Sequence, residues 1–242
     1  MQYDRWQWHK DFLTCTLLEP WHHGWFGRSV HPLLPHDLHR KIYTRGKAHF
    51  LTQVHGTEIL NAETISTEEA IGDGLFTAVP GDSVWVCSAD CVPLLMGDLR
   101  SGMVMAVHAG WRGTAKGILA QALAIFRQQN DDLTNLRIGL GPAISGLNYQ
   151  VGKDVAQQVL QIVAQPVGIT DDPAPDRCRL DLRAVQKQFF LEQGLRSDQV
   201  SIAPYCTYAD SEYFFSYRRG DMKKVQWAGI YANIKVGLPL LV

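Results

Sequence analysis

The apolar positions of this chain fall into short β-rich runs separated by longer stretches with helical spacing. The clearest stretch covers residues 84–113, VWVCSADCVPLLMGDLRSGMVMAVHAGWRG. Within it, residues 84–87 and 103–107 are rich in β-formers and bounded by turn residues, so both predict buried strands. Gly97, Asp98, Ser101 and Gly102 mark a turn region between them. A helix pattern follows from about residue 114 to 128. Upstream, residues 12–17 and 50–54 read as strands, and residues 59–60 continue the second after a turn. Pro35 predicts the start of a short helix. Residues 61–70 read as a polar surface connection, and residues 72–77 as a tight turn into a short apolar segment. Downstream, residues 136–140, 200–203 and 225–233 predict strands. Residues 151–164 carry apolar side chains at 151, 155, 159, 160 and 163, the spacing of an amphipathic helix. Residues 182–193 predict another helix, stopped by Gly194. The Pro- and Asp-rich residues 165–179 read as a loop. Strands and helices are interspersed, with no short-period repeat and no Gly/Ser linker. The pattern predicts one α/β domain with mixed sheets over residues 1–242.

Composition narrows this further. Apolar residues make up 46% and charged residues 19%, enough for a sizeable core. The net charge of −1, with both signs well mixed, provides no basic surface for nucleic acid. No apolar run approaches the length of a membrane span, and the N-terminal stretch lacks an apolar signal core. Five cysteines, at 15, 87, 91, 178 and 206, are odd in number and scattered, which is no disulfide framework. These features predict a reducing, cytoplasmic setting.

Chemistry collects where the apolar runs end, and such strand-end loops commonly carry catalytic groups. Ser88, Asp90 and Cys91 follow the first central run, and His108 and Arg112 follow the second. His55, Cys91 and His108 each follow a strand-like run beside a glycine, aspartate or turn. If those strands are neighbours, two imidazoles and a thiolate converge. That set suits zinc, with copper as the alternative ion, and leaves one coordination position open. The competing readings are a hydrogen-bonded structural histidine and a Cys91 nucleophile paired with histidine; ligand and nucleophile both need the thiolate. Cys87, inside its run, reads as a buried thiol acting as a small hydrophobe. Arg112 lies in a glycine-rich turn before a helix, suited either to binding a phosphate or carboxylate with that helix end or to a surface salt bridge. Asp90 reads as a ligand-orienting or acid/base group or as a turn cap, and Asp73, between two glycines, as a turn residue. Of Arg218 and Arg219, one reaches inward or both are solvated. His22, His23, His31, His36 and His39 read as ordinary surface histidines. The chain has no His-Glu-x-x-His, no His-x-Glu with Pro-Cys-x-x-Cys, no Gly-x-Ser-x-Gly and no Gly-x-Gly-x-x-Gly.

Six segments, taken together, resemble a known family. They are Gln53-Val54-His55-Gly56, Ser88-Ala89-Asp90-Cys91-Val92-Pro93, Val107-His108-Ala109-Gly110-Trp111-Arg112-Gly113, Gly141-Pro142-Ala143-Ile144, Cys206-Thr207 and Phe214-Phe215-Ser216-Tyr217-Arg218-Arg219. In this order, over about residues 54–219, they resemble the YfiH family. It is also called the multicopper polyphenol oxidase (laccase) family, and the purine nucleoside phosphorylase family related to the human protein FAMIN. The resemblance implies a layered α/β/β/α, cysteine-hydrolase-like fold and zinc held by His55, Cys91 and His108. It implies phosphorolysis of adenosine, inosine and S-methyl-5′-thioadenosine, with adenosine deaminase activity as a second reaction. Near the N-terminus the chain departs from the family's Gly-Gly-x-Ser segment, carrying Phe26-Gly27-Arg28-Ser29-Val30-His31-Pro32 instead.

On this reading the partners are a purine nucleoside and phosphate. Arg112 and the following helix end, with Arg218, bind substrate, and Asp90 relays protons beside Cys91. The rival readings are a Cys91-dependent amidase that edits peptidoglycan precursors, a copper-dependent polyphenol oxidase, and a metal-binding module without catalysis. The chain has no His-x-His pair of the kind multicopper oxidases use.

Overall fold

The computed structural model describes residues 5–43, 45–65, 70–129 and 131–232. The N-terminal part forms β1 (Trp6–Trp8), β2 (Phe12–Cys15), β3 (His23–Phe26), α1 (Pro35–Ile42) and β4 (Ala48–His49). The centre forms β5 (Ile59–Asn61), β6 (Gly74–Thr77), β7 (Ser83–Ser88), β8 (Val92–Asp98), β9 (Val104–Ala109), α2 (Trp111–Ala115) and α3 (Ile118–Gln129). Next come β10 (Leu136–Leu140), β11 (Gln150–Gly152), α4 (Lys153–Leu160), β12 (Ile169–Asp171) and β13 (Arg177–Leu180). The last are α5 (Leu182–Glu192), β14 (Val200–Ile202) and β15 (Gln226–Tyr231).

Two six-stranded sheets stack face to face. The first has the order β1-β2-β3-β15-β7-β4 and the second β14-β10-β8-β9-β6-β5; β11-β13-β12 make a small third sheet. The two-residue side-chain period of a strand sorts the core into layers. In β8, Leu94 and Met96 face helices while Leu95 faces the other sheet; in β9, Met105 and Val107 oppose Val104 and Ala106 in the same way. The helix side of the second sheet meets Leu119, Leu123 and Phe126 of α3 and Val185 and Phe190 of α5. Between the sheets, Leu13, Trp25, Val84 and Ile230 pack against Leu75, Leu95 and Val104. On the outer side of the first sheet, Leu38 of α1 packs with Phe26, Trp85 and Tyr231. The order is α/β/β/α, and the sheets are mixed, as expected. No helix among the described residues is long and apolar enough to cross a membrane.

Tryptophans on glycines set the spacing of the layers. A Cβ at Gly97 would come within 2.7 Å of the Trp21 ring, one at Gly139 within 2.6 Å of Trp25, and one at Gly141 closer still. The Gly139-Leu140-Gly141 stretch is therefore a slot for an indole. Trp25 Nε1 then donates to Pro93 O at 3.0 Å, and Gly141 N donates to the same oxygen at 3.0 Å. This fixes the start of β8, next to Cys91.

Several elements differ from the pattern-based expectation. Residues 50–54 form no strand. They make a single bridge, Thr52 to Ile71, and the Gln53 side-chain amide takes the place of a backbone partner by bonding both Cys87 N (2.7 Å) and Cys87 O (2.8 Å). The helix expected over 114–128 is two helices, broken at Gly117 with φ 96°. The helix expected from 151 starts at Lys153, because residues 150–152 pair with β13. The loop expected over 165–179 contains β12 and part of β13, an exposed pairing with little apolar signal. Residues 92–96, which the pattern assigned to no element, lie in the buried strand β8, which follows Cys91 directly. Met1–Asp4, residues 66–69 of the expected surface connection and Asn233 at the end of the expected last strand lie outside the described residues.

Candidate metal centre

The site is built where β6, β9 and the β7–β8 turn meet. His108 is the penultimate residue of β9 rather than a residue after it. It shares the inter-sheet face of Val104 and Ala106 by the two-residue period. β6 runs antiparallel to β9 with Gly74 opposite Val107, which brings Asp73 beside His108. Asp73 Oδ1 lies 2.8 Å from His108 Nδ1, and Asp73 O accepts the His108 backbone N–H at 2.7 Å. An ionised carboxylate only accepts, so His108 Nδ1 carries the proton and Nε2 is left as a ligand atom.

The same carboxylate shapes the loop that carries His55. Its oxygens accept the backbone N–H groups of Val54 (3.2 Å), His55 (2.9 Å) and Gly56 (2.6 Å). His55 sits at φ 59°, a left-handed conformation that costs a non-glycine residue about 1–2 kcal/mol. The charge-assisted bonds to Asp73 offset that cost. Asp73, expected as a turn residue, is fully buried and is the central acceptor of the site. Its only sequence signal is a carboxylate between two glycines at a strand start.

Cys91 lies in the turn Ala89-Asp90-Cys91, which carries the chain from the first large sheet to the second. Asp90, at φ 101°, binds the C-terminal loops through its carboxylate: Thr207 Oγ1 donates at 2.6 Å, Ser216 Oγ at 3.0 Å and the Arg218 N–H at 2.8 Å. Its carbonyl accepts the Ile144 N–H at 3.0 Å.

The ligand atoms of His55, Cys91 and His108 all lie within 4.8 Å of one another, the one such group among the described residues. Zinc bonds of about 2.0–2.3 Å in a tetrahedron set donors roughly 3.5 Å apart, so small side-chain shifts close the cluster on an ion. Two imidazoles, a thiolate and a carboxylate behind one histidine fit a metal with an open position. Without a metal, the electrostatics favour a thiolate–imidazolium pair, whose imidazolium proton an ion would displace. Burial alone would push the Cys91 thiol up, but hydrogen bonds and charge from His108 and His55 bring it down to about 6. Burial would lower His108, yet Asp73 and Cys91 raise it to about 9. Burial opposes ionisation of Asp73, and the bonds from His108 and Gly56 N–H outweigh it. Cys87 behaves oppositely: burial pushes it up to about 12, so it remains a thiol. All five cysteines are free.

The glycines after His108 serve clearance. A Cβ on Gly110 would lie 2.8 Å from Cys91 Sγ and 3.4 Å from His55 Cδ2, and one on Gly113 2.8 Å from Gly56 O. The five-residue α2 is too short to give the anion-binding helix end expected there. Gly110→Ala tests the clearance. Gly110 has φ −68°, which alanine adopts freely, so only the thiol is displaced. Zinc affinity is expected to fall about tenfold with the fold intact, measured by competition with a chromophoric chelator. An unchanged affinity would mean that Cys91 is not a ligand.

Around the cluster, Arg112 is exposed and stacks over the Trp111 ring at 4.5 Å. The Arg218 guanidinium donates to Gln150 O at 3.0 Å and lies 5.3 Å from the Tyr149 ring centroid. Among the described residues neither arginine has a carboxylate side-chain partner, so Arg112 does not form the alternative salt bridge. Arg219 turns inward onto Thr207 O, Tyr208 O, Phe214 O and Asp221. Sequence reading missed Tyr149. Two of the expected surface histidines are buried: His23 bonds Cys15 N and Trp21 O, and His39 bonds Ser83 Oγ and Arg45 O. Both ring nitrogens are satisfied in each, which lets the neutral ring stay inside. His31 is exposed, and His22 and His36 are half-buried.

The family model for the multi-copper polyphenol oxidoreductase laccase matches residues 36–232. Purine nucleoside phosphorylase slr1573 of Synechocystis sp. is 38% identical, covering 94% of this chain and 97% of its own. Purine nucleoside phosphorylase YfiH of Escherichia coli is 31% identical, over 70% of this chain and 68% of its own. The crystal structure of YlmD from Geobacillus stearothermophilus superposes with a TM-score of 0.81 at 23% identity, covering 95% of this chain and 99% of that one, and so shares the fold. With the matched residues running from α1 to β15 and containing His55, Cys91 and His108, the chain belongs to the YfiH, or multi-copper polyphenol oxidoreductase laccase, family.

Proposed function

We propose that this protein is a purine nucleoside phosphorylase whose His55, Cys91 and His108 hold zinc. It acts on adenosine, inosine and S-methyl-5′-thioadenosine, with adenosine deamination as a second activity. The observation that carries this reading is the open three-donor cluster, with the Arg218 N–H bonded to Asp90 beside Cys91, Arg112 in α2 after His108, and no carboxylate side-chain partner for either arginine among the described residues. The names of the relatives support the substrate class. When bound, zinc supplies Lewis acidity and lowers the pKa of water. The chain's own residues do the rest. Arg112 and Arg218 hold phosphate against the sugar. A phosphate oxygen forms the bond to C1′ as the C1′–N9 bond breaks, and the purine leaves with that electron pair and takes up a proton. The guanidinium groups stabilise the charge that shifts in this step. Asp90, its carboxylate taken by three donors, positions Arg218 and the Cys91 turn instead of relaying protons.

The experiment is product analysis by mass spectrometry, with zinc-loaded, copper-free protein and adenosine, with and without phosphate. Adenine and ribose-1-phosphate are expected only with phosphate, and inosine reports deamination. Absence of all three products would overturn the reading.

A second reading has its own observation. Cys91, His108 and Asp73 also make a nucleophile, base and orienting carboxylate. A covalent adduct on Cys91 from peptidoglycan precursors, formed by zinc-free protein, would favour the amidase.

A further inference from the structure

We propose that the Tyr149 hydroxyl is a third phosphate contact, an O–H donor standing with Arg112 and Arg218, so that the anion taken by this site is inorganic phosphate. This rests on the phosphorylase reading and extends it to a residue outside the metal cluster.

Tyr149 is tied to the Cys91 turn by a chain of short contacts. Asp90, beside Cys91, accepts the Arg218 N–H at 2.8 Å; the Arg218 guanidinium donates to Gln150 O at 3.0 Å and covers the Tyr149 ring at 5.3 Å. The Tyr149 carbonyl accepts the Leu180 N–H at 3.0 Å, which fixes the backbone from the other side. Helix α2, with Arg112, packs against α4, which follows Tyr149 through β11. The charges of Cys91, Arg218, Asp90 and Arg112 all act on the hydroxyl. It has no hydrogen-bond partner among the described residues, nor is it sealed from solvent.

The half-buried hydroxyl has no partner among the described residues, the Arg218 guanidinium lies over its ring, and the charge of Arg112 reaches it; it adds a donor to a site whose two arginines have no carboxylate side-chain partner among those residues. Phosphate has the oxygens and the charge to take all three. Burial pushes the phenol up to about 12, so the group is a donor and never an anion near neutrality.

Tyr149→Phe keeps the ring under Arg218 and removes only the O–H. With initial rates measured over both substrates, KM for phosphate is expected to rise about 10–100-fold, the range for one hydrogen bond to a charged group. KM for the nucleoside and the zinc content are expected to stay at wild-type values. Calorimetric titration of zinc-loaded wild-type and variant protein with inorganic phosphate gives the same comparison without turnover. An unchanged phosphate KM or dissociation constant would overturn the proposal, as would an equal rise in both KM values. If wild-type protein shows no phosphorolysis but binds phosphate more tightly than Tyr149→Phe, the reaction assignment fails while the phosphate contact stands.

Discussion

Asp73→Asn is expected to lower zinc affinity by about 10–100-fold and to reduce the melting temperature of the metal-free protein. The carboxylate meets donors on both sides. Oδ1 faces His55 N and His108 Nδ1, and Oδ2 faces Val54 N and Gly56 N. Either orientation of an asparagine amide therefore sets its NH2 against two N–H groups. In a fully buried site those donors are left unpaired, at a cost of about 2–5 kcal/mol. The His55 loop then loses the bonds that hold φ 59°, and His108 loses the partner that keeps its proton on Nδ1. Thermal melting and zinc content, measured on one preparation, check both effects. A variant with wild-type zinc affinity would show that Asp73 does not organise the ligands.

Cys91→Ser is expected to remove bound zinc and phosphorolysis together, because a neutral hydroxyl cannot replace the thiolate as a ligand. The thiolate also has a pH signature in chelator-stripped protein. The His108 and His55 interactions outweigh burial and lower Cys91 to about 6, so the thiolate is present above that pH and is lost as pH falls through it. Iodoacetamide labelling of Cys91, mapped by mass spectrometry, should be half-maximal near pH 6, against about 8.5 for an unperturbed cysteine. Cys87, pushed up to about 12, stays unlabelled over this range. Added zinc should suppress labelling. A Cys91 midpoint above pH 8 would remove the thiolate–imidazolium pair, and an active, zinc-free Cys91→Ser protein would remove the metal from the mechanism.

Much of the strand framework was legible because buried strands leave apolar runs. Residues 136–140 and 200–203 match β10 and β14 closely for that reason. The failures share a cause. Residues 50–54 look like a strand, but what completes their pairing is one glutamine side chain on Cys87. Residues 165–179 look like a loop because β12 is exposed along its whole length. A solvated strand has no reason to carry an apolar pattern. His23 and His39 read as surface residues because part of what satisfies each ring inside, Cys15 N for His23 and Ser83 Oγ for His39, comes from another element of the chain.

By itself the sequence determined the α/β class and, through the motif order, the family, and it offered His55, Cys91 and His108 as candidate ligands. Donor chemistry belongs to the side chain, so the residue types could be named from the sequence as possible ligands. Only the tertiary structure decided that these three meet. Strands β6 and β9 are neighbours, and the Cys91 turn steps between sheets, placing residues from 55 to 108 within one site. The roles of Asp73, Gly110 and Tyr149 were decided there too. A buried carboxylate, a missing Cβ and an unpaired hydroxyl gain their meaning from neighbours distant in the chain, which no local pattern encodes.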